Sequence, residues 1–127
     1  ALPVVVVVFA LAPALCEELL FRGALLGLLK RSVKPAVACV VVGLLFGALH
    51  LHVVRILPTG ILGILLCVAA LRARSLWVPV IIHALHNGFL VLASAQGWFG
   101  DPPLWLLVVM AAVAMVAVAL TGRTRRG

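Results

Sequence analysis

Two adjacent carboxylates, Glu17 and Glu18, lie inside a run of Val, Leu, Ala and Phe, with Arg22 close behind them. An ionised side chain in hydrocarbon costs roughly 2.5–3.5 kcal/mol on insertion scales, so such residues are rare there and usually functional. Glu18 and Arg22 are four apart in sequence, so on a helix they share a face and can neutralise each other. Glu17 points about 100° away and has no partner within its own helix. The spacing predicts that Glu18–Arg22 is a structural pair and that Glu17 is the working group. The competing reading is that Arg22 satisfies both carboxylates and the cluster only fixes helix packing.

The remaining polar residues lie further along the chain. His50 and His52 close the second apolar run, and His83, His86 and Asn87 sit within a later one. His83 and Asn87 are stacked on one helical face, and Phe46 and His50 have the same spacing. Counted at ~1.5 Å per residue from the nearest basic residue, Glu17 lies ~20 Å above Lys30 and His50 ~24 Å above Lys34. On the same count His83 and Asn87 lie ~14 and ~20 Å above Arg74. Three helices would thus deliver Glu17, His50 and His83/Asn87 to one polar, water-admitting pocket. A carboxylate and an imidazole converging on one water make a general base. An imidazole N–H and an amide N–H on one face make a donor pair for a developing oxyanion. These are the parts of hydrolytic acyl transfer. No nucleophilic Ser, Thr or Cys has a credible base beside it, Cys16 next to Glu17 included, which favours direct attack by water over a covalent mechanism. Glu17, His50 and His83 would also serve as a three-ligand zinc site, although the compact His-Glu-x-x-His signature is absent. The metal-free site, with no cofactor, is preferred. His52 and His86 are expected to be hydrogen-bonded packing residues.

The elements that must position these groups follow from composition. The chain of 127 residues is 66% hydrophobic and 10% charged, with a mean hydropathy of +1.36. That leaves too little polar surface to cover a soluble globule. The expected architecture is an all-α, polytopic transmembrane helix bundle forming a single domain over residues 1–127. Five apolar runs cover residues 1–29, 36–51, 59–71, 76–95 and 104–120, the last a packing helix. The third, only ~20 Å long as a helix, must be tilted, re-entrant or extended backwards through Val53. The formal charge of +7 does not point to nucleic acid, because the basic residues are confined to breaks between apolar runs, without interleaved aromatics. Anionic lipid headgroups are their expected partner. Their alternation places the ends of helices 1, 3 and 5 in the cytoplasm. The chain opens on Ala1 in hydrophobic sequence without a charged leader, so no signal peptide is expected. Cys16, Cys39 and Cys67 are an odd count within apolar stretches, which reads as small hydrophobes rather than a disulfide framework.

Three motifs in order, Glu17-Glu18-x-x-x-Arg22, Phe46-x-x-x-His50 and His83-x-x-x-Asn87, resemble those of the CPBP (Abi) family. These are intramembrane glutamic endopeptidases related to type II CAAX prenyl endopeptidases. The flanking Glu-Glu-Leu-Leu-Phe-Arg-Gly, Leu-Phe-Gly-Ala-Leu-His and Ser75-Leu-Trp77-Val-Pro79 agree with it. The match covers residues 13–89, the catalytic core. The resemblance implies that Glu17 activates water together with His50, that His83 and Asn87 form the oxyanion hole, and that Glu18 and Arg22 support the site. It also implies metal-free peptide hydrolysis on a peptide or membrane-protein substrate. Members usually carry further helices before the first motif, so upstream helices are expected to be missing here. Short loops and compact size fit a prokaryotic cytoplasmic membrane. Two rivals remain at this level: a non-proteolytic scaffold or bacteriocin-immunity protein of the same fold, and a Glu/His-based proton- or metal-coupled transporter.

Overall fold

In lipid every backbone N–H and C=O must be satisfied within the segment, which leaves helices as the way to span. The computed structural model describes residues 1–51 and 53–97, and those residues form helices joined by short turns. α1 runs Leu2–Leu29, α2 Pro35–Ala48, α3 Val53–Ala73 and α4 Trp77–Ala95. α1, α3 and α4 are long and apolar enough to cross a membrane, and α2 is a shorter apolar helix. The outward surface is itself apolar, with Phe9, Leu20, Leu44, Leu57 and Leu85 exposed, an arrangement that lipid makes favourable and water does not. The chain is an integral membrane protein. The fifth apolar run, residues 104–120, lies outside the described residues, as does His52.

The prolines explain the local geometry. Pro35 opens α2, and Lys34 before it is extended at ψ 139, as the steric clash of a pre-proline residue demands. Pro13 lies within α1, where its ring would strike the carbonyl four residues back. The preceding stretch Val7–Leu11 widens into a π-helical turn there. The third helix starts at Val53 rather than at Thr59, so Pro58 falls inside it. Beside it the Thr59 hydroxyl donates to the Arg55 carbonyl at 2.5 Å, and the helix runs on through the proline. The backward extension through Val53 gives 21 residues, enough to span. The second helix is shorter than its apolar run: it stops at Ala48, and His50 sits in the turn beyond, its N–H bonded to the Gly47 carbonyl.

α2 and α3 form the tightest pair of the bundle. A Cβ at Gly43 would fall 2.6 Å from the Ile64 nitrogen, and one at Gly47 2.8 Å from the Gly60 nitrogen. Only glycine lets the two backbones approach so closely, as at small-residue crossings in membranes generally. The N-terminal half of α1 packs on α4 and its C-terminal half on α2 and α3. The core between them is Phe21, Leu26, Ala38, Cys39, Val42, Phe46 and Cys67.

Candidate active site

Glu17 and Glu18 end an α-helical stretch of α1, and a second π-helical turn, Leu19–Leu25, begins immediately after them. Such turns recur at functional sites because they re-aim side chains without ending the helix. Glu18 is fully buried. Its Oε1 accepts from Arg22 Nη1 at 2.9 Å and lies 2.8 Å from His83 Nδ1 on α4. Arg22 Nη2 donates to the Gly63 carbonyl of α3 at 2.7 Å. One carboxylate and one guanidinium therefore tie α1 to α3 and α4 through charge-assisted bonds.

Glu17 is different. Its side chain is 35% exposed, and its Oε2 faces His83 Nε2 at 3.8 Å. That is too long for a hydrogen bond and about right for two groups sharing a water. Oε2 is nonetheless shielded and has no hydrogen-bond partner among the described residues. His83 thus stands between both carboxylates, Nδ1 held by Glu18 and Nε2 turned to Glu17.

Phe46 is the hinge of the arrangement. Its ring meets His50 at 5.0 Å, His83 at 5.6 Å and Phe21 at 5.2 Å, all edge-to-face. The Arg22 guanidinium carbon lies 4.7 Å from the Phe46 ring centroid, close enough for a cation–π contact. His50 Nδ1 lies 2.9 Å from the Phe46 carbonyl. A carbonyl only accepts, so Nδ1 carries a proton, and Nε2 is the ring nitrogen turned away from that bond.

Placed against the sequence expectations, Glu18 and Arg22 form the expected ion pair, and Arg22 does not reach Glu17 within ion-pair distance. Among the described residues the histidine within 4.0 Å of Glu17 is His83, not His50. His50 joins the site through Phe46 instead, at the exposed end of α2. Asn87 lies one turn beyond His83, half-buried, with no hydrogen bond to the described residues. His86 is buried, but its Nδ1 has no hydrogen-bond partner among the described residues, which corrects the expectation of a hydrogen-bonded packing histidine. No three His, Cys, Asp or Glu side chains among the described residues converge as a metal-holding group. Sequence reasoning gave Phe46 a motif position but no task, and gave Gly63 none. A glycine carbonyl that accepts from Arg22 leaves no signal in sequence.

Over 96 residues the chain is 25% identical to "Putative membrane peptidase YdiL" of Bacillus subtilis (strain 168), a match covering 76% of this chain and 39% of that protein. The chain thus spans well under half the length of that curated relative. No solved structure matches it. The model of the type II CAAX prenyl endopeptidase Rce1-like family matches residues 1–89, a stretch that holds the carboxylate pair, His50, His83 and Asn87. The chain belongs to the type II CAAX prenyl endopeptidase Rce1-like family of membrane proteases.

Proposed function

We propose that this chain carries the active site of an intramembrane glutamic endopeptidase, cleaving a peptide or membrane-protein substrate by direct attack of water. The observation that carries the reading is the Glu17 Oε2, shielded and unbonded, 3.8 Å from an imidazole nitrogen whose ring is fixed from behind by Glu18. A scissile carbonyl set across this gap has a base on one side and a donor on the other. Glu17 takes a proton from water as the oxygen bonds to the carbonyl carbon. The carbonyl oxygen becomes an oxyanion, which the protonated His83 Nε2–H and the Asn87 amide stabilise. Glu17 then returns its proton to the leaving amine, and the C–N bond breaks. His50, through its Nε2, orients the attacking water together with Glu17. Glu18 and Arg22 touch no substrate; they hold the His83 ring in register.

The test is cleavage of a quenched membrane-peptide library by protein reconstituted in liposomes, with Glu17→Gln and His50→Ala alongside, each with and without chelator. The expected result is turnover that resists chelation, falls by about 10²–10⁴ in both variants, and leaves folding intact. Turnover lost to chelator and restored by zinc overturns the metal-free site. Turnover unchanged in Glu17→Gln overturns the role of that carboxylate.

A further inference from the structure

A cavity of about 470 Å³ opens at the end of the bundle where α1 and α3 finish and α4 begins. It lies beyond Arg22, away from the gap between Glu17 and His83. Arg22, Lys30, Arg74 and Ser75 are among the residues that line it, with no Asp or Glu among the described ones, and the Arg22 side chain itself is fully buried. Neither Lys30 nor Arg74 forms an ion pair with a described residue. Lys30 and Arg74, in the turns that close α1 and α3, leave a positive charge at the cavity that no described residue pairs with, whereas Arg22 is already held by Glu18.

Two residues give the cavity its wall and its open space. Arg74 has φ 52, the left-handed position after a helix end that ordinarily takes glycine. An arginine held there in spite of the backbone cost brings its side chain to the cavity wall. Gly27 is the second: a Cβ on it would meet nothing within 4 Å. The wall between the cations is apolar, with Leu26, Leu71 and Leu76. A polar, cationic mouth with an apolar flank at the end of the bundle suits a phospholipid headgroup with the first part of its chains.

We propose that this cavity binds a phosphate-bearing anion, an anionic phospholipid headgroup in the membrane or free phosphate in solution. The assignment is independent of the peptidase reading, since it uses neither Glu17 nor His83. Basic pockets between membrane helices bind anionic headgroups, each Lys or Arg near the surface strengthening the attraction about fivefold.

The experiment is native mass spectrometry of the detergent-solubilised protein titrated with dioleoyl phosphatidylglycerol, with dioleoyl phosphatidylcholine as the zwitterionic control. Lys30→Gln, Arg74→Gly and Gly27→Leu are run in parallel. Arg74→Gly relieves the left-handed backbone and Gly27→Leu strengthens the helix, so both fold. Wild type is expected to retain phosphatidylglycerol over phosphatidylcholine. Lys30→Gln and Arg74→Gly should each weaken retention about fivefold, and Gly27→Leu should abolish it by filling the cavity. Inorganic phosphate that displaces the lipid identifies a general phosphate site; failure to displace identifies the lipid as the ligand through its chains. Equal retention of both lipids, or phosphatidylglycerol binding unchanged in all three variants, overturns the proposal.

Discussion

Replacing Glu18 by Gln is the sharpest test of the division of labour between the two carboxylates. Glu18 is fully buried and serves both Arg22 Nη1 at 2.9 Å and His83 Nδ1 at 2.8 Å. The amide keeps the volume but removes the charge, and Arg22, itself buried, is left with the Gly63 carbonyl as its main partner. Removing one member of a buried pair costs about 3–5 kcal/mol, because the other charge stays desolvated and uncompensated. Glu17→Gln, at a side chain one-third exposed without a hydrogen bond at Oε2, should change stability by less than about 1 kcal/mol. The assay is equilibrium unfolding in mixed micelles, followed by circular dichroism, on both single variants and on Glu18→Gln/Arg22→Met. The double variant removes both charges, so it should be less destabilised than the sum of its singles by about 1–3 kcal/mol. A residual deficit of about 1 kcal/mol remains because the His83 Nδ1–H bond to a carboxylate becomes a weaker bond to a neutral amide oxygen. Equal stability of Glu17→Gln and Glu18→Gln, or strict additivity in the cycle, would refute the assignment of Glu18 as the structural carboxylate.

Other expectations follow from single contacts. Phe46→Ala, at a fully buried ring touching Phe21, His50, His83 and Arg22, should cost about 3–5 kcal/mol in the same unfolding assay. Phe46→Leu should cost less, yet still depress turnover, because it no longer braces both imidazoles. Gly47→Ala puts a methyl 2.8 Å from the Gly60 nitrogen and should destabilise by about 1–3 kcal/mol through overpacking of α2 on α3; Gly27→Ala, in open space, should not. His86→Leu exchanges a buried ring whose Nδ1 has no partner among the described residues for an apolar group, so unfolding should show unchanged or increased stability.

Much of the fold was legible in the chain itself. Long apolar runs separated by basic breaks specify membrane helices, because lipid offers the backbone no other partner. The Glu18–Arg22 pair was legible for the same kind of reason: both residues lie on one helix, where a spacing of four fixes their proximity. Interactions between helices were not. The shortness of the 59–71 run offered tilt, re-entry or a backward extension through Val53, and the extension is the one adopted. The glycines of α2 and α3 were visible as letters, but periodicity does not say which backbone comes within reach of which. The site shows the limit best. Depth counting put Glu17, His50 and His83 at one level of the bilayer without saying which stands nearest which; the fold sets Glu17 opposite His83 and His50 against the Phe46 ring. Residue type and spacing therefore determined which groups bear charge in the membrane and which share a helical face. Only the packing of α1 on α4, and of both on the α2–α3 pair, decided which nitrogen faces which carboxylate, because that distance is set across helices and no periodicity along one chain segment encodes it.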